Sequence, residues 1–115
     1  MLDGVFARGT TPTHIFPLPG GLTTSNFLDF TISYRQKGKV VLIKRKADVD
    51  NISELDCIHN IILVLSQEDT LMFNPNNEIV EVQIKGLTPG NEVLILGEYR
   101  FRLENVFDEE SFYLD

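Results

Sequence analysis

Apolar and polar residues alternate with a period of two along much of this chain. Residues 27–34 read Phe-Leu-Asp-Phe-Thr-Ile-Ser-Tyr, placing Leu28, Phe30, Ile32 and Tyr34 on one face and Asp29, Thr31 and Ser33 on the other. Val80, Val82 and Ile84 alternate in the same way with Glu81, Gln83 and Lys85, and Tyr99, Phe101 and Leu103 with Arg100 and Arg102. Each pattern predicts a half-buried strand. Residues 40–44 form a further apolar, β-branched run. Residues 61–65, Ile-Ile-Leu-Val-Leu, are apolar throughout, so either both faces of that strand are covered or Ile62 and Val64 meet something outside the fold.

The punctuation between these runs fits hairpins. Gln36-Lys37-Gly38-Lys39 supplies a turn with Gly where positive φ is cheapest. Pro89 and Gly90 occupy the two central positions expected of a type II turn, and Gly97 interrupts the last run as a bulge would. Ser66, followed by Glu68 and Asp69, predicts an N-capped single helical turn, after which Leu71, Met72 and Phe73 turn inward. Pro17 and Pro19 remove ladder donors, confining the first strand, residues 13–18, to an edge or to a position where the chain switches sheets. About seven short strands with regular turn signals predict an all-β fold, an antiparallel sandwich of immunoglobulin-like type. The 115 residues suit one domain, with residues 1–12 as an N-terminal arm and residues 104–115 as an acidic, aromatic tail.

Charge narrows the partners. The net charge of -7 disfavours nucleic acid, whose phosphates need a basic surface. Its distribution is uneven: up to Ala47 two acids face seven bases, and from Asp48 onward fifteen acids face three bases. Strands from the two halves of a sandwich interleave, which makes solvated strand faces the expected outcome. The apolar runs are too short to span a bilayer, and the opening residues lack the pattern of a secretory leader. The expected site of synthesis is therefore the cytoplasm, with no membrane partner.

Candidate chemistry is sparse. Cys57 has no second cysteine to pair with, and only His59 lies near it as a base. His14 and His59 become neighbours only if their strands pair, and no carboxylate stands beside either to complete a metal site. Asp48, Asp50, Asn51 and Asp56 resemble scattered calcium ligands, yet the sixth position of an EF-hand loop, which needs Gly, holds Ser53. There is no phosphate-binding Gly loop, nucleophile elbow or paired-carboxylate motif. The sequence thus predicts a non-enzymatic protein without a cofactor. Its candidate interface comprises Ile62, Val64, Phe112, Tyr113 and Leu114, with Lys37, Lys44, Arg45 and Lys46 as a basic rim.

The run Arg8-Gly9-Thr10-Thr11-Pro12-Thr13-His14, with Phe16 and Leu18-Pro19 behind it, resembles the opening of a family of small proteins encoded in the tail and baseplate region of Firmicutes prophages. The likeness continues through Ile32-Ser33-Tyr34-Arg35-Gln36, Val40-Val41-Leu42, Leu65 to Thr70 with Phe73, and Val80 to Ile84. Pro17 and the acidic connection before Cys57 depart from the family pattern. The resemblance implies a virion or tail-associated component, made in the host cytoplasm, that docks on tail or baseplate proteins and assembles as a homo-oligomer. At the level of fold it is similar to the N-terminal sandwich of baseplate upper proteins. The alternative expectation is a module that binds a host-surface glycan or protein.

Overall fold

Seven strands, β1 (Gly4–Ala7), β2 (Thr13–Pro17), β3 (Asp29–Gln36), β4 (Lys39–Arg45), β5 (Asn60–Val64), β6 (Ile79–Leu87) and β7 (Val93–Glu104), divide between two sheets in the computed structural model, which describes residues 2–49 and 59–104. One sheet has the order β1-β7-β6-β3-β4; the other is a ribbon of β2 and β5. The fold is all-β and sandwich-like, and every pair is antiparallel except β1 with β7. The long alternating runs form the centre: β3 pairs with both β4 and β6, and β6 pairs with β7.

The parallel strand β1 lies in the segment expected to be an arm. Its four residues are too few to show alternation, and its place comes from the partner it meets. Asp3, just before the strand, donates its backbone N–H to Arg100 O at 2.7 Å, and Asp3 Oδ2 accepts from Arg100 N at 2.8 Å, which ties the chain to β7 where Gly4 stands opposite Phe101. Phe6 is thereby buried against Phe73, with ring centroids 5.3 Å apart.

The inward face of β3 is Phe30, Ile32, Tyr34 and Gln36, not a run starting at Leu28. Leu28 precedes the strand, donates its N–H to Leu87 O, and leaves its side chain 58% exposed, while Phe27 turns into the core in its place. Gln36 continues the apolar face because its amide is fully used. Its Nε2 donates to Asn74 O (3.0 Å) and Asn77 O (2.8 Å), and its Oε1 accepts from Asn74 N (2.8 Å), so the β3–β4 hairpin is tied to the turn that precedes β6.

The turns agree with the sequence in position and differ in one conformation. Lys37 and Gly38 both have positive φ, as a two-residue hairpin of the primed type requires. At the β6–β7 hairpin the positive φ falls on Asn91 (64°), not Gly90. Thr88 O accepts from Asn91 N and Thr88 N donates to Glu92 O, so the loop is a tight turn closed by a left-handed Asn. The bulge expected at Gly97 is present, since Ile84 pairs with Gly97 while Lys85 pairs with Ile95.

Ser66 caps α1 (Gln67–Leu71) reciprocally: its hydroxyl accepts from Asp69 N at 3.0 Å and Asp69 Oδ2 accepts from Ser66 N at 3.0 Å. Of the three residues expected to turn inward after it, Phe73 does so and Leu71 partly, but Met72 is 58% exposed. The helix is too short for a three-residue apolar run to share one face.

Gly86 is required by packing. A Cβ there would lie 2.7 and 2.8 Å from two atoms of the Phe27 ring and 2.9 Å from Leu96 Cδ1. Gly86→Ala is expected to lower stability by about 1–3 kcal/mol through this overpacking, read as a lower urea midpoint. An unchanged midpoint would show that the Phe27 ring moves aside freely.

Candidate protein-docking surface

The ribbon turns one face in and one face out. Inward go His14, Phe16 and Leu18 near β2, and Ile61, Leu63 and Leu65 along β5, all buried. Outward go Thr13, Ile15 and Pro17 from β2, and Asn60, Ile62 and Val64 from β5. The all-apolar run 61–65 is therefore a one-sided strand whose outer face is also apolar. The register sets Ile15 opposite Ile62 and Thr13 opposite Val64, with Ile15 59% exposed, Val64 42% exposed and Ile62 half-buried. Three aliphatic side chains from two adjacent strands thus form one outward patch.

Ile62 and Val64 were read from sequence; Ile15 was not. The alternation of residues 13–16 was visible, but its neighbour across the ladder depends on register, which the sequence left open.

Three of the four basic residues are engaged within the fold. Lys44 Nζ lies 3.0 Å from Asp69 Oδ2, a half-buried pair that joins β4 to α1 across the sandwich. Arg45 pairs with Asp29 at 3.2 Å, and Lys46 Nζ donates to Phe27 O at 2.7 Å. Lys37 stands exposed at the tip of the β3–β4 hairpin, at the other end of β4. Lys44, Arg45 and Lys46 accordingly bind parts of their own fold. Burial alone would raise the carboxyl pKa of Asp29 and Asp69. Hydrogen bonds and the neighbouring cations outweigh it, so both are held below the usual carboxylate value. Phe112, Tyr113 and Leu114 lie outside the described residues, as does Cys57.

The strands bearing the two histidines do pair, yet the imidazoles do not converge. His14 stands opposite Leu63, whereas His59 lies at the far end of β5, where its O accepts from Leu18 N. His59 is exposed, with Nδ1 3.1 Å from Leu22 O. His14 is buried, shares a 2.6 Å hydrogen bond between Nδ1 and the Tyr34 hydroxyl, and stacks on Phe101 with centroids 4.6 Å apart. Burial lowers its pKa to about 4, and burial followed by the charge of Asp69 raises that of Tyr34. Both are neutral at pH 7. Among the described residues no group of three or more His, Cys, Asp or Glu side chains is placed to hold a metal. Of the calcium candidates only Asp48 is described, and its Oδ2 accepts from Arg45 N at 2.9 Å.

A second surface lies on the outer face of the five-stranded sheet. Ser33, Arg35, Glu81, Gln83, Lys85, Glu98 and Arg100 line an open groove of about 450 Å³ there. Its polar groups are partly paired with one another: Arg35 with Glu81 at 3.2 Å, and Gln83 with Glu98 at 3.2 Å. Tyr99 points away from this face, toward Phe16, with centroids 4.9 Å apart.

No family model matches this chain, and no curated protein matches it. Among solved structures it is similar to CopC from Methylosinus trichosporium OB3b, with a TM-score of 0.50 and 15% sequence identity over 95% of this chain and 89% of that one. At that identity the likeness shows the shared all-β, sandwich-like fold alone.

Proposed function

We propose that this chain is a non-enzymatic structural or assembly protein of a phage tail or baseplate, acting through protein–protein contacts. The observation that carries the docking role is the outward aliphatic patch of Ile15, Ile62 and Val64 on a ribbon whose other face is already buried in the core. Such a patch loses water when a partner covers it, and its exposed part adds little to the isolated fold. The phage setting rests on the resemblance carried by Arg8 to His14. The partners are tail or baseplate proteins, and the interface carries no catalytic or cofactor role.

Replacing Ile62 and Val64 together by Ser tests the docking role. The double variant is expected to unfold cooperatively within a few degrees of the parent, on the order of a surface change. Co-expressed with the products of its neighbouring structural genes, it is expected to co-purify roughly ten-fold less well, as the loss of about 1.4 kcal/mol of contact would give. A collapse of the fold would place both side chains in the core and defeat the proposal, and so would undiminished co-purification.

The alternative, a module that binds a host-surface glycan or protein, is supported by the polar groove over β3, β6 and β7. On that reading Gln83→Ala abolishes a glycan-array signal that the Ile62 and Val64 changes leave untouched.

A further inference from the structure

Three consecutive aliphatic residues at the start of β7 are exposed: Val93 (64%), Leu94 (38%) and Ile95 (61%). They belong to both faces of the sheet. Val93 and Ile95 stand opposite Leu87 and Lys85 on the outer face, whereas Leu94 stands opposite Gly86, which packs against Phe27 and Leu96 on the core side. A partner laid on either face covers only part of this set. A strand added to the edge of β7 covers all three, because its own side chains continue both faces.

The backbone is turned toward such a strand. Thr88 donates its N–H to Glu92 O, so Glu92 faces β6, and the alternation of the ladder turns the N–H and C=O of Val93 and Ile95 to the other side. Leu87, opposite Val93, points away from β7 in the same way, since its O accepts from Leu28 N. On the side that Val93 and Ile95 face, the neighbour of β7 is β1, which pairs only with Phe101 to Glu104. Among the described residues no strand pairs there with the earlier part of β7. Sheet edges are normally protected by charge, proline or a bulge. Residues 93–96 carry neither charge nor proline, and the bulge comes after Ile95. The opposite edge of the sheet, β4, is better guarded: it begins at Lys39 and ends at Arg45, whose N–H is already held by Asp48 Oδ2.

We propose that this edge of β7 pairs with the same edge of a second copy of the chain, antiparallel, about a twofold axis at Leu94. A twofold contact needs a surface complementary to itself, and this one is. With the two Leu94 residues facing each other, Val93 of each copy stands opposite Ile95 of the other, and each such pair exchanges backbone hydrogen bonds in both directions. On the outer face Val93 and Ile95 of both copies merge into one aliphatic strip, and on the core side the two Leu94 side chains meet. Charge selects this register. Glu92 falls opposite Leu96 and Glu98 opposite Gly90, whereas an axis at Ile95 would set Glu92 of each copy against Glu98 of the other. The two five-stranded sheets then run on as one. This goes beyond the docking role of the ribbon's outer face and uses none of its side chains.

Disulfide trapping of the full chain tests it. The Leu94 pair on the axis is of the kind that does not exchange hydrogen bonds, with Cα atoms about 4.5 Å apart, close enough for a disulfide. In a Cys57→Ser background, Leu94→Cys is expected to oxidise to a homodimer roughly ten-fold more abundant than that of Val40→Cys, an exposed control on β4. By light scattering the parent chain should show twice its single-chain mass. Val93→Lys with Ile95→Lys should halve that mass while unfolding stays cooperative, and mixing this variant with one carrying Val93→Glu and Ile95→Glu should restore it, since each Lys then meets a Glu. Where the lysine variant fails to fold, the cross-link decides. Ile62→Ser with Val64→Ser should leave the cross-link intact, so the two surfaces succeed or fail separately. A single-chain mass for the parent at every concentration, or a Leu94 cross-link no stronger than the control, would overturn the proposal. A mixed disulfide between Leu94→Cys and Val40→Cys chains that exceeds the Leu94 homodimer would overturn it too, by assigning head-to-tail pairing of the two different edges.

Discussion

Phe16→Ala is expected to cost about 3–5 kcal/mol, the range for removing a buried aromatic side chain. Phe16 is 1% exposed and reaches from the ribbon to the larger sheet, with its ring 4.9 Å from Tyr99 and 6.4 Å from Phe101. Among the described residues the ribbon has two strands, and such a unit is not stable by itself in water. It is held by what its inner face buries. Removing Phe16 therefore loosens the whole β2–β5 unit, and the urea midpoint should fall while the slope of the transition changes little. Ile15, the next residue and 59% exposed, makes the internal control, because Ile15→Ala should shift stability by no more than about 0.5 kcal/mol. Equal losses at the two positions would mean that the ribbon's inner and outer faces have been exchanged.

That contrast marks how far the sequence could be read. The alternations around Ile32, Val82 and Phe101 placed β3, β6 and β7 because each strand is long and buries one face, so period two is written directly in the residues. The β3–β4 hairpin was legible from Gly38, and the α1 cap from Ser66 and Asp69, because both are local. β1 was not legible, since a four-residue strand is specified by its partner and not by its own pattern. Leu28 misled for a related reason: it has the right parity but lies one residue before the strand begins, so Phe27 takes the inward place. The candidate site divides the same way. Ile62 and Val64 stood out as excess apolar residues, whereas the place of Ile15 beside them arises from a pairing distant in sequence.

The charge pattern was legible in the same way as the long strands. The basic first half and acidic second half are expected to interleave in a sandwich, and the sheet order sets β3 beside β6, where the halves meet. Arg35 with Glu81 spans that junction, and Lys44 with Asp69 joins the halves across the sandwich. Of the residues read as a basic rim, Lys44, Arg45 and Lys46 are tied to Asp69, Asp29 and Phe27 O of their own fold.

Lowering the pH from 7.5 to 5 is expected to destabilise the protein by about 2 kcal/mol through His14 alone. Burial holds this imidazole at a pKa of about 4, against 6.5 for the free side chain. Above pH 6.5 it is neutral in both folded and unfolded chains and stability does not change. Between 6.5 and 4 the unfolded chain takes up a proton that the folded chain refuses, so stability falls as pH falls. Below 4 both forms are protonated, and the total loss levels off at about 3 kcal/mol. Asp29 and Asp69, both held low, contribute stability that is lost only below their unfolded value of 3.8, which leaves the window from 4 to 6.5 to His14. The neighbours that face the ring from β1, β3 and β7 are Phe6, the Tyr34 hydroxyl and Phe101, none of which carries charge at these pH values. Urea unfolding at half-unit pH steps should show uptake of one proton on unfolding, and His14→Gln should flatten the profile between 4 and 6.5. A flat profile in the parent protein would mean that the imidazole meets water in the folded state.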